Sequence, residues 1–202
     1  MKTIKVRIRF TEELLGTSPN NADLYADYIA SNAPDAPTME EEIAEHGEQE
    51  VLEKGMTVFN RDADGKPFLY DYQIKGFFKG SCGFLRNVPG YESAKLKNYK
   101  KKLDGLFFVF PRRVYLEIPE GKEIGTCTRP LRASTAQGER VALSHSEAAP
   151  EGTEIFFTIK LLDDGMVKLV DELLEYGELS GMGQWRNSGK GRFEILEKTL
   201  IG

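Results

Sequence analysis

The sequence predicts an α+β fold built around a mostly antiparallel sheet, and three observations carry that prediction. Residues 3–10 alternate strictly, with Ile4, Val6, Ile8 and Phe10 on one face and Lys5, Arg7 and Arg9 on the other, the period of a half-buried strand. Towards the other end, 153–162 reads as a strand, 166–179 as an amphipathic helix and 192–196 as another strand, a β–α–β piece of crossover length. Between these ends, strands and helices mix without the regular alternation of a doubly wound fold.

The remaining elements follow in order. Residues 22–31 place Leu24, Tyr28 and Ile29 at helical spacing, and Pro34 and Pro37 stop that helix. Thr38 caps a second, acidic helix over 38–53, with Glu41 closing a capping box. These two helices make 20–60 a helical insertion. Strands at 56–59 and 68–72 flank the hairpin signal Asp64-Gly65. The stretch 73–87 reads as a helix with Ile74, Phe77, Phe78, Phe84 and Leu85 on its core face. Its Gly76, Gly80 and Gly83 are poor helix formers, and small residues at that spacing let another backbone approach. Strands follow at 105–110 and 113–118. The span 125–152 lacks periodicity and is either a long loop or an arm of hairpins; 120–152 is expected to extend from the body. The terminal β–α–β piece matches a split unit of the kind ferredoxin-like domains carry.

Composition narrows the class of protein. The chain has 202 residues, 40% of them hydrophobic and 29% charged, which suits one domain with a core of its own. Cys82 and Cys127 stand far apart with no metal-ligand spacing, so no disulfide framework or zinc site is indicated and a reducing, cytoplasmic setting is expected. No window is apolar enough for a membrane span. Net charge is −5 and the pI about 5.3, against an indiscriminate nucleic-acid binder. The charge is segregated, however: 35–53 is acidic, while 95–132 carries Lys95, Lys97, Lys100, Lys101, Lys102, Arg112, Arg113, Arg129 and Arg132. Each run is either a solvated face or a surface for a partner of opposite charge.

The segment with most chemical character is 181–196, GMGQWRNSGKGRFEIL. Its Gly-Lys invites a phosphate-binding P-loop, but a Walker pattern has four residues between its glycines and Ser or Thr after the lysine. Here five residues separate Gly183 from Gly189, and Gly191 follows Lys190. The order helix–loop–strand is also the reverse of a P-loop.

The spacing Gly181-x-Gly183-x5-Gly189-x-Gly191, after a helix and before a final strand, resembles the glycine-rich loop of the repeat-associated mysterious protein (RAMP) superfamily, whose members build CRISPR effector complexes and process or coat guide RNA. The family pattern is GhGx5GhG with h hydrophobic; Met182 fits it and Lys190 departs from it. Residues 72–86, YQIKGFFKGSCGFLR, are similar to the early helix of the family with looser spacing, and 140–159 to the stretch before its last β–α–β. The chain also looks like an uncharacterised protein family of bacterial viruses and prophages.

The resemblance implies an RRM/ferredoxin-like core that binds RNA or another nucleotide-containing ligand and self-associates as backbone-coating relatives do. In such a loop, glycines let amides approach phosphate. Arg186, Lys190 and Arg192 add charge, and Trp185 offers a face for a base. Arg129, Arg132 and Lys79 complete the candidate nucleic-acid residues. The bland alternative is that the glycines only close a turn while Trp185 seals the core edge. His46 reads as solvated, and His145 lacks a positioned partner, so no catalysis, cofactor or metal is expected. Two other readings stay open: an interaction protein of a bacterial virus that targets a host complex by mimicry, through its acidic face, and a protein that sequesters a small nucleotide.

Overall fold

The computed structural model describes residues 1–20, 56–135 and 138–201, with backbone alone for the described part of 131–142. The predicted helices at 22–31 and 38–53, and His46, lie outside the described residues. No helix among the described residues is long and apolar enough to cross a membrane.

The strictly alternating start of the chain forms β1 (Lys2–Phe10), burying Ile4, Val6, Ile8 and Phe10. It is central in a four-stranded sheet, pairing antiparallel with β11 (Glu154–Leu161) on one side and β12 (Phe193–Ile201) on the other. The edge beyond β11 is β7 (Phe107–Phe110), also antiparallel. Helix α1 (Asp71–Leu85) lies between β1 and β7 in sequence, and α4 (Val167–Ser180) between β11 and β12. The core therefore reads β–α–β–β–α–β with spatial order β12-β1-β11-β7, the ferredoxin-like arrangement.

Both helices present apolar faces to one side of this sheet. Ile74, Phe78, Val170, Leu173 and Leu174 are fully buried against β-strand residues such as Phe157 and Phe107, and rings Phe78 and Phe107 lie 4.8 Å apart. Fully burying each such side chain contributes about 1.5–3 kcal/mol, so the sheet-to-helix layer dominates stability. Helix α1 starts sharply because Gln73 Oε1 accepts the Tyr70 N–H at 2.7 Å. Helix α4 ends at Gly181, whose φ of 76° only glycine adopts without strain and whose N–H bonds Gly177 O at 2.8 Å.

Smaller strands brace the core. In the sheet that holds β2 (Leu14–Leu15), β3 (Ser18–Pro19) and β4 (Thr57–Val58), the long element is a hairpin of β9 (Gly125–Thr135) and β10 (Gly138–Ala149). Its ladder runs from Thr135↔Gly138 to Gly125↔Ala148, so the aperiodic span is one antiparallel hairpin. A third sheet joins β5 (Asn60–Arg61), β6 (Pro67–Tyr70) and β8 (Arg113–Tyr115).

Several sequence expectations need correction. The Asp64-Gly65 hairpin is closed by β5 and β6, while the predicted 56–59 strand contributes β4 to the other sheet. Helix α1 takes residues 71 and 72 from the predicted strand at 68–72. Phe84 is 59% exposed, because the core face of α1 runs through Ile74, Phe78 and Leu85, with Phe84 turned off that stripe. Two short helices, α2 (Glu92–Lys95) and α3 (Tyr99–Leu106), were not predicted; α3 also takes the first residues of the strand predicted from 105. Nor does another backbone approach the α1 glycines: Gly83 faces the Tyr99 hydroxyl, and Gly76 and Gly80 face open space.

Candidate nucleic-acid interface

The loop from Gly181 to Gly191 leaves α4 and enters β12 with all four of its patterned glycines at positive φ, between 72° and 88°. Two of them form its neck. A Cβ at Gly181 would lie 2.5 Å from Lys190 O, and one at Gly191 would lie 1.9 Å from Met182 O. Backbone bonds hold that neck: Met182 N–H to Gly191 O at 2.9 Å, and Gly191 N–H to Glu13 O at 2.8 Å. Met182 points inward and is only 3% exposed, which explains a hydrophobic residue between the first glycines. The space at Gly181 and Gly191 is thus filled by the loop itself, and the expected close approach of phosphate does not apply at these two positions. Gly183 and Gly189 belong to the tip, where the N–H groups of 183–187 have no hydrogen-bond partner among the described residues.

The hairpin root meets this tip through a polar chain. Gln184 Oε1 accepts Arg129 Nη2 at 2.7 Å, and its Nε2 donates to Gly16 O at 2.5 Å and Thr57 Oγ1 at 3.0 Å. The Thr57 hydroxyl in turn shares 2.8 Å with that of the buried Ser146. The Arg129 guanidinium lies 5.4 Å over the Trp185 ring. Arg129 therefore reaches the glycine loop, but it is only 9% exposed and builds the loop rather than presenting a free cation. Its Nε has no hydrogen-bond partner among the described residues. Arg132 sits further along β9, opposite Val141; its side chain lies outside the described residues.

The other candidate cations divide cleanly. Lys190 Nζ donates to Glu13 Oε2 at 2.6 Å, and that bond holds the ammonium above its ordinary pKa. Lys79 is paired with Asp104 at 2.9 Å, away from the face of α1 that meets the loop. Arg186 and Arg192 form no ion pair with any described residue, and they flank the tip with Trp185, which is 37% exposed.

Beside the tip lies a cleft of about 260 Å³ between α1, β2 and the loop. Leu14, Leu69, Phe77 and Met182 make it apolar, Gly76 and Gly80 open its α1 wall, and Arg186 supplies a cation. The α1 wall is the part that sequence reasoning missed. The partners Glu13, Gln184 and Thr57 were missed too, because nothing in their spacing ties them to positions up to 177 residues away.

Elsewhere the chemistry is sparse. His145 Nδ1 is 3.0 Å from Thr128 Oγ1 and its Nε2 is buried. Burial pushes the Cys82 thiol up in pKa. No group of three metal-ligating side chains occurs among the described residues.

No protein-family model matches the sequence, and no curated protein matches it. The fold does have solved neighbours. A chain in the cryo-EM structure of the Type III-B Cmr-beta bound to cognate target RNA superposes with TM-score 0.55 and 13% identity, over 99% of this chain and 60% of that one. A chain of a Type IV-B CRISPR complex gives TM-score 0.48 and 14% identity, over 99% and 90%. This protein spans about 60% of the length of the Cmr-beta chain it matches. What the chain shares with the Cmr-beta neighbour at this identity is the fold, an α+β architecture with a ferredoxin-like core.

Proposed function

We propose that this protein is a non-enzymatic, RAMP-like RNA-binding subunit that holds a single strand at the tip of its glycine loop. The observation that supports this most is the tip itself: Trp185 is partly exposed in the same loop as Arg186 and Arg192, and neither arginine is neutralised by a described carboxylate. An aromatic face with unpaired cations is what base stacking and phosphate attraction need. The Cmr-beta structure that holds the neighbouring fold is bound to target RNA, which is consistent with the reading.

Fluorescence anisotropy with labelled single-stranded RNA over a salt series tests it. Trp185→Ala should weaken binding by about 1–3 kcal/mol. Replacing both Arg186 and Arg192 by Ala should lower the salt slope by roughly one to two units. Absence of binding by the wild-type protein at low salt overturns the proposal.

The apolar cleft beside Arg186 favours one second reading, capture of a single nucleotide with its base against Phe77 and Leu69. A rise in Tm with mononucleotides, in the absence of RNA binding, would select it.

A further inference from the structure

The basic run around residue 100 is absorbed by neither the loop nor the cleft beside it. It folds into α3 and its approach, exposing Lys97, Lys100, Lys101 and Lys102 beside Arg86 at the C-terminus of α1. Of the acids close by, Asp104 is held by Lys79 and Glu92 by Lys95, while the Glu172 carboxylate accepts from the N–H groups of Glu92 and Ser93. The five remaining cations form no ion pair with any described residue. Three of them, Arg86, Lys100 and Lys101, line a cleft of about 580 Å³ together with Asn98 and Tyr99, with no acidic residue in its wall.

The site has internal order. A Cβ at Gly83 would lie 2.9 Å from the Tyr99 hydroxyl, so the glycine lets the tyrosine lie against α1. The Tyr99 ring then carries the Arg86 guanidinium 5.2 Å from its centroid. On a chain of net charge −5, such a cluster is a local reversal of the field.

We infer that this cleft is a second phosphate-backbone contact, taken by the same RNA strand after it leaves the glycine loop; the inference rests on the RNA-binding reading above. Arg86 follows Gly76 by ten residues on α1, roughly 15 Å along the helix axis at 1.5 Å per residue, so one strand can reach both places. Lysines act here as point charges without the fork geometry of arginine, so the contact is expected to be indifferent to base sequence.

Anisotropy with long and short labelled homopolymer RNA tests it. The triple variant Arg86→Gln, Lys100→Gln, Lys101→Gln should reduce the salt slope for long RNA by about 2, at roughly 0.7 per phosphate contact. Affinity for long RNA should fall about tenfold or more, while a dinucleotide that reaches only the loop is bound as before. Lys100→Gln with Lys101→Gln leaves the Arg86–Tyr99 pair in place and should show a smaller loss of the same kind; Lys100→Arg with Lys101→Arg should restore wild-type binding. Removing Lys66 and Lys122 instead controls for net charge and should leave the slope near that of wild type. If the triple variant keeps the wild-type slope while loss of Arg186 and Arg192 lowers it, this second contact is overturned and the loop reading stands. If wild-type protein binds no RNA, the loop reading fails and this inference falls with it.

Discussion

In the loop after α4, the places where Gly181 and Gly191 lack a Cβ are occupied by the loop's own backbone, at 2.5 and 1.9 Å. On α1, Gly76 and Gly80 would meet nothing within 4 Å, and they wall the cleft that the same loop borders. The residue type is one, but the physical causes are opposite. Neck glycines are required by the fold, since both a positive φ and a close backbone approach exclude a side chain. The α1 glycines oppose the fold, each costing the helix about 1 kcal/mol against alanine, with no internal contact to offset it. A glycine-rich signature therefore mixes positions that shape the protein with positions that leave its surface open.

Four substitutions can break or sharpen this contrast. Gly191→Ala should be the most damaging, at about 3 kcal/mol or more, because left-handed strain adds to a clash with Met182 O. Urea unfolding measures it, and a variant within about 1 kcal/mol of wild type would show that the neck is looser than described. Gly177→Ala is intermediate: its Cβ would meet the Phe193 and Phe77 rings at 2.4 and 2.5 Å, and side chains can shift where backbone cannot. Overpacking of that kind costs about 1–3 kcal/mol, read as a lowered Tm. Gly76→Ala and Gly80→Ala should reverse the sign, each stabilising by about 0.5–1 kcal/mol while narrowing the cleft and weakening any mononucleotide binding there. Stabilisation with unchanged mononucleotide affinity would remove the cleft from nucleotide capture.

Legibility in the sequence followed the same division. Elements that bury an apolar face against the core announced themselves: β1 by alternation, β11 and α4 by periodicity, and the end of α4 by Gly181. The hairpin of β9 and β10 did not, because its ladder is a backbone matter and its buried root uses Arg129 and Ser146, polar residues whose partners lie elsewhere in the chain. Helix α3 escaped notice since Leu103 is the one residue it buries. At the loop, the patterned spacing located the site but not its working parts. Lys190 and Lys79 look like Arg186 and Arg192 in sequence, and only the placement of Glu13 and Asp104 separates the neutralised cations from the open ones.

The chain from Ser146 through Thr57 and Gln184 to Arg129 has a consequence for how such a sequence can drift. Each side chain satisfies the next in a partly buried region, so a change at any one leaves its neighbour's donor or acceptor without its partner. Among relatives, these four positions are expected to change together or not at all, although three separate segments supply them. Inheritance at the loop would then be written in linked residues, whereas either arginine at the tip can change without stranding a partner inside the fold.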